Sequence, residues 1–196
     1  NIVIDMLGYD NIQNMTPEEF KQNLDVVWNY FNDIEPYLWR KGETYPESEG
    51  KLDLLYSAGE VDVTMGYTIN KVNSKIESGD YPETSESFLL DKGTLFNNHY
   101  LAIPTNAQNK DGALAVINEL VSPEIQLLKQ EPKNWGDFNI LDMKKLSPEV
   151  VKQFSDLNKS GKIPSPEVLQ KKRVMELTPD KLTIIEEGWA ENVGKN

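Results

Sequence analysis

The sequence predicts an α/β fold, and three observations predict it. Through the first 120 residues, short segments of alternating apolar and polar residues are interleaved with segments whose apolar residues recur every three to four positions. After Ser122 the pattern becomes almost wholly helical. Five Ser/Thr-Pro pairs, Thr16-Pro17, Ser122-Pro123, Ser147-Pro148, Ser165-Pro166 and Thr178-Pro179, are each followed directly by an acidic residue. In such a triplet the hydroxyl caps free backbone N–H groups and Pro suits the first helical position. The carboxylate then meets the positive end of the helix dipole. Each pair therefore predicts a helix start.

Taken in chain order, Thr16 opens a helix whose Phe20, Leu24, Val27 and Phe31 form one apolar stripe. Thr16 with Glu19 also fits a capping box. Tyr37 and Trp39 lie two apart in Pro36-Tyr37-Leu38-Trp39-Arg40 and read as core residues, with a pocket lining as the alternative. A helix is predicted over residues 51–58, ended by Gly59. The alternation in Val61-Asp62-Val63-Thr64-Met65-Gly66-Tyr67 predicts a strand. Residues 70–76 read as a short helix closed by Gly79, and residues 87–90 and 99–103 as strands flanking a turn-rich stretch. Ala113, Leu114, Ile117, Leu120 and Val121 make the apolar face of the next helix, and a final helix covers about residues 179–192. The loop over residues 131–137, with Pro132, Trp135 and Gly136, is a candidate crossing point between structural units.

Composition narrows function. Asp and Glu number 32 against 20 Lys and Arg, for a net charge of −12, which argues against nucleic-acid binding. The absence of Cys removes disulfides, thiolate metal sites and cysteine nucleophiles. His99 is the one histidine, and no nucleophile elbow, zinc-binding His pair or phosphate-binding glycine loop accompanies it, so no metal site, cofactor or catalytic residue is expected. A lone histidine reads first as an ordinary hydrogen-bonding residue, with ligand contact as the alternative. Glu60 and Asp62 read as a solvated acidic pair rather than the paired carboxylates of a carbohydrate-active enzyme. Tyr67 ends a predicted strand just before a helix start, where α/β sheets hold ligands, and is the foremost ligand-facing candidate. The loop Gly93-Thr94-Leu95-Phe96-Asn97-Asn98-His99 is the second, with a solvated turn as the alternative reading. The chain begins at Asn1 and runs at once into Ile2-Val3-Ile4, so we expect it to start inside a longer protein, with any signal sequence upstream.

Gly59-Glu60-Val61-Asp62-Val63 leading to Tyr67 resembles a strand of the family 1 extracellular solute-binding proteins of ABC importers. Leu101-Ala102-Ile103-Pro104-Thr105-Asn106-Ala107, Lys110, Gly112-Ala113 and Ser122-Pro123-Glu124 with Gln126 resemble that family's crossover strand and following helices. Pro36-Tyr37-Leu38-Trp39-Arg40, Lys92-Gly93-Thr94-Leu95 and Asn134-Trp135-Gly136-Asp137 are similar to its YnjB-like branch. The resemblance implies a periplasmic-binding-protein type II fold, of which this chain is the C-terminal half. Residues 1–97 would be the α/β part of the second lobe. Residues 98–133 would be a crossover strand and helices of the first lobe, and 134–196 the helical completion of the second, the main part of the first lobe being absent.

It further implies a small-molecule solute held at Tyr67, Thr94, Asn97, Asn98, His99 and Trp135, captured by hinge closure and delivered to an ABC permease in the membrane. The expected location is extracytoplasmic, in the periplasm or at the cell surface as a lipoprotein, and no enzymatic step is needed. No carboxylate lies between Gly93 and Pro104, where polyamine-binding relatives place one. The rival readings are a carbohydrate-active enzyme using paired carboxylates and a ligand-sensing domain of the same fold. The resemblance also implies self-association, through surface that the first lobe normally covers, the stripe of Ala113, Leu114, Ile117 and Leu120 included.

Overall fold

Each of the five Ser/Thr-Pro pairs begins a helix in the computed structural model, which describes residues 1–157 and 161–194. The helices are α1 (Ile2–Leu7), α2 (Tyr9–Asn14), α3 (Pro17–Asn23), α4 (Asp25–Ile34), α5 (Glu49–Ser57), α6 (Lys71–Glu77), α7 (Lys110–Leu120), α8 (Pro123–Gln130), α9 (Pro148–Asp156), α10 (Pro166–Lys172) and α11 (Pro179–Asn192). Two short strands, β1 (Thr94–Leu95) and β2 (Arg173–Val174), complete a helix-rich α/β arrangement. They pair in parallel, Thr94 opposite Arg173 and Leu95 opposite Val174. Among the described residues no helix is long and apolar enough to cross a membrane.

The chain forms two units, and it passes between them after Val63, Ser87, Asn97 and Ser165. The first unit holds α1 to α5, the β1–β2 pair, α10 and α11. Its core is the cluster of Ile4, Ile12, Phe20, Leu24, Val27, Trp28, Leu177 and Val193, all buried. The predicted stripe of α3 and α4 supplies Phe20, Leu24 and Val27, and Phe31 packs edge-on to Trp189 at 5.1 Å. α11 packs against α3 and α4. The approach is close because Gly188 has no side chain: a Cβ there would lie 2.6 Å from the Trp28 ring. The Lys181 ammonium is buried and donates to the Ile12 carbonyl at 2.6 Å, near the C-terminal end of α2.

The second unit holds α6 to α9. Its apolar core is small, comprising Val72, Tyr81, Phe154 and Ile163, and it is supplemented by buried Asn70, Asn73, Ser85, Gln126 and Gln130. Every residue of α7 keeps some exposure, with Leu114 and Leu120 both exposed.

Three expectations are corrected. Residues 61–67, 87–90 and 99–103 run without ladder hydrogen bonds rather than as strands. Alternation makes a segment suited to a pleat, but a strand exists only when a neighbour supplies the other half of each hydrogen bond. In the first segment Val63, Met65 and Tyr67 are all exposed, so the alternation buries no face. Tyr37 is also no core residue: it is 88% exposed, in the 3₁₀ turn Glu35–Tyr37. Trp39 is half-buried and donates its ring N–H to Glu60 at 3.1 Å, so Glu60 anchors an aromatic side chain.

Helix starts carry an electrostatic signature. Thr16 and Glu19 form the predicted capping box, with Thr16 donating its backbone N–H and its hydroxyl to the Glu19 carboxylate, each at 2.9 Å. Those bonds, the backbone one foremost, hold Glu19 below its ordinary value of 4.5. Glu149 is lowered by its own backbone N–H and then the Ser147 hydroxyl, and Asp180 foremost by the Thr178 hydroxyl. A carboxylate with a depressed folded pKa contributes stability above its unfolded value, and that contribution disappears as pH falls through the folded one. Thermal melts should therefore show wild type losing stability between about pH 5 and about pH 3 more steeply than a Glu19→Gln, Glu149→Gln, Asp180→Asn triple variant. Parallel curves for the two proteins would contradict the assignment.

Candidate functional site

The loop that follows α8 is fixed from several sides within the second unit. Asn134 closes its first turn, its backbone N–H reaching the Glu131 carbonyl at 2.9 Å and its side chain the Leu128 carbonyl at 2.8 Å. The Gly136 N–H donates to the Lys129 carbonyl at 2.8 Å, and the Asn70 side chain donates to the Gly136 carbonyl at 2.5 Å. Gly136 adopts φ +84, a left-handed conformation that a side chain would strain. A little further on, the Gln130 side-chain oxygen accepts from Asn139, both from its backbone N–H and from its side chain, and the Gln126 oxygen accepts from the Ile140 N–H.

This scaffold presents Trp135 and Asp137 on either side of Gly136. The Trp135 ring stands 5.1 Å from the His99 ring, tilted by 57°. The Asp137 carboxylate is 3.9 Å from His99 Nε2. Lys129 holds its ammonium 5.2 Å from the Trp135 ring centre and donates to the Phe138 carbonyl at 3.1 Å. Trp135 remains 49% exposed, so this aromatic surface is open to a partner. Chemically the group offers an aromatic face, a hydrogen-bonding imidazole and a carboxylate acceptor within a few ångströms.

The six residues expected to hold ligand divide between the two units. His99 and Trp135 are brought together. Tyr67 lies in the same unit, 92% exposed, and its segment meets the Trp135 loop: Thr68 and Asn70 are among the residues that a Cβ on Gly136 would touch. Asn98 is exposed and precedes His99. Thr94 and Asn97 belong to the first unit, Thr94 within β1 and Asn97 donating to the Glu176 carboxylate at 2.9 Å. Sequence reasoning did not single out Asp137, Lys129 or Asn70. Asp137 carried one signal, its place beside Trp135-Gly136 in the loop marked as a crossing point. Separately, the first unit has an open cleft of about 330 Å³ lined by Gly8, Tyr9, Asp10, Asn11, Lys92 and Val174.

Among the described residues, no group of three or more His, Cys, Asp or Glu stands ready to hold a metal ion. Glu19, Glu149 and Asp180 have lowered pKa values, and each sits at a helix start.

Comparison with known proteins gives partial matches. No family model matches the chain, and no solved structure matches it. Curated proteins do. The spermidine/putrescine-binding periplasmic protein of Salmonella typhimurium (strain LT2) is 33% identical over 103 residues, which is 53% of this chain and 24% of that protein. Its Escherichia coli (strain K12) counterpart is 42% identical over 59 residues, covering 30% of this chain and 17% of that one. Part of the chain is thus similar to periplasmic binding proteins. Protein YnjB of Escherichia coli (strain K12) is 39% identical over 120 residues, 61% of this chain and 31% of YnjB. The matched stretches span less than a third of the length of these relatives.

Proposed function

We propose that this chain is part of the solute-binding component of an ABC importer, working outside the cytoplasm, and that it captures a small solute bearing an amine. The observation that carries the transport reading is the match to YnjB and to periplasmic binding proteins named for spermidine and putrescine. The lobe assignment made from the sequence and delivery to a membrane permease belong to the same proposal. Capture proceeds by hinge closure, in which a few crossing residues change dihedral angle while each lobe moves as a rigid body. No covalent step is involved.

The ligand class follows from Asp137. The stretch between Gly93 and Pro104 has no carboxylate, but the fold sets the Asp137 carboxylate 3.9 Å from His99 and next to Trp135. An ammonium group meets a charge-assisted acceptor there, and its alkyl body meets the exposed Trp135 face. Tyr67 and Asn98, in the same unit, complete the proposed contacts. Calorimetric titration of the protein with spermidine and with putrescine tests this. Trp135→Ala and Asp137→Asn should each weaken binding about ten-fold or more, because a desolvated cation–π contact is worth about 2 kcal/mol and a hydrogen bond to a charged group about 1.5–3 kcal/mol. Both variants should melt close to wild type, since Trp135 is exposed and Asp137→Asn keeps the size of a partly buried side chain. Wild-type protein that takes up neither amine, or variants that bind as wild type does, would overturn the ligand class.

A further inference from the structure

We infer that Asn70 is a positioning residue of this site, acting through Gly136 to hold the Trp135 ring and the Asp137 carboxylate where a ligand meets them. The inference rests on the proposed function for its ligand, though not for its geometry.

Asn70 stands at the N-cap of α6, where an Asn side chain ordinarily accepts from the N–H of the second or third helical residue. Here it makes no such cap bond. Its amide donates instead to the Gly136 carbonyl, and its oxygen accepts from the Asn73 amide at 2.8 Å. Asn73 fixes which way round the Asn70 amide points, so that the N–H faces the loop. Both side chains are buried, Asn70 at 1% exposure, and water does not substitute readily for either bond. The fit is steric as well: a Cβ on Gly136 would lie 2.8 Å from the Asn70 Cβ.

The Gly136 carbonyl belongs to the peptide unit joining Gly136 to Asp137, while the Gly136 N–H, on the peptide unit joining it to Trp135, is held by Lys129. Asn70 and Lys129 therefore orient the two peptide planes on either side of Gly136. Those planes set the directions of the two side chains that flank it. The Asn70 oxygen accepts from the Asn73 side chain in place of a backbone N–H, which breaks a local rule, and its amide is left to donate 66 residues away; such breaks concentrate at functional sites. Tyr67, three positions before Asn70, is tied to the same loop by this contact.

The chain has a single histidine, so its imidazole proton resonances are unambiguous. With the Trp135 ring 5.1 Å away, they carry a ring-current displacement that Trp135→Ala removes, which calibrates the measurement. Asn70→Asp and Asn70→Ser both remain good helix caps but lose the amide donor to Gly136. If Asn70 serves only the start of α6, both variants keep the His99 resonances of wild type. If it positions the loop, both move the resonances most of the way to the Trp135→Ala values, and spermidine affinity falls about ten-fold while the helix content is kept. Unchanged His99 resonances in a folded variant overturn the inference. Should Asn70→Asp fail to fold, the Ser variant decides alone, and should neither fold, His99 resonances in Asn73→Ala, which loses the bond that orients the Asn70 amide, decide on the same criterion. Failure of wild-type protein to bind spermidine counts against the proposed ligand, while the His99 resonances still judge the positioning role.

Discussion

Phe20→Ala should destabilise the first unit by about 3–5 kcal/mol, the usual cost of emptying a buried aromatic position. Phe20 is fully buried in α3, within the cluster of Ile12, Leu24 and Val27. Two further contacts depend on its ring. The Lys181 ammonium lies 6.0 Å from the ring centre while bonding the Ile12 carbonyl, so truncation leaves a buried cation beside a void. α11 packs on α3, so the cavity opens between two helices, each anchored elsewhere, and neither closes over it freely. For a chain of this size each kcal/mol lowers the melting temperature by about 2–4 °C, so a fall of roughly 6–20 °C is expected in calorimetry or circular dichroism. A fall of less than about 3 °C would show that Phe20 is not the centre of this core.

The contrast between what was legible and what was not follows from the range of each interaction. The Ser/Thr-Pro-acidic triplets marked five helix starts because a cap, a fixed φ and a dipole all act within four residues. The stripe of Phe20, Leu24 and Val27 was legible for the same reason, the helix repeat being local. Strands were misread because their partners are not local. Residues 61–67 have the right alternation, yet among the described residues only Thr94–Leu95 and Arg173–Val174 find one another, about 80 positions apart. Trp135 was visible in its Pro- and Gly-bearing loop, but the nearness of Asp137 to His99 depends on bonds spanning from 7 to 66 residues. Asn70 illustrates the limit well. It stands at a helix start, where its type suggests a cap, and the structure points its side chain elsewhere.

The second unit has few apolar residues in its core, and buried amides take over the work of fixing its loops, so an amide there should matter as much as a ring does in the first unit. Gln130→Leu tests that directly. Gln130 is fully buried; its Nε2 donates to the Phe154 carbonyl at 3.3 Å, and its oxygen accepts from Asn139 at 3.2 Å (backbone) and 3.1 Å (side chain). Leucine has similar bulk, so the change opens little cavity and leaves the loss of bonding as the main term. Replacing only one side of each bond strands the other, and a buried group without a partner costs about 1–3 kcal/mol. With backbone and side-chain donors of Asn139 both deprived, the expected loss is about 3 kcal/mol or more. Leu128→Ala, at a position 51% exposed on the same helix, should cost far less and serves as the control. Hydrogen exchange adds the local readout: the Asn139 amide should lose protection in Gln130→Leu, as should the neighbouring Ile140 amide held by Gln126. If the Leu variant melts within about 2 °C of wild type with these amides still protected, the polar network is not what holds the loop, and apolar packing around Phe154 must suffice.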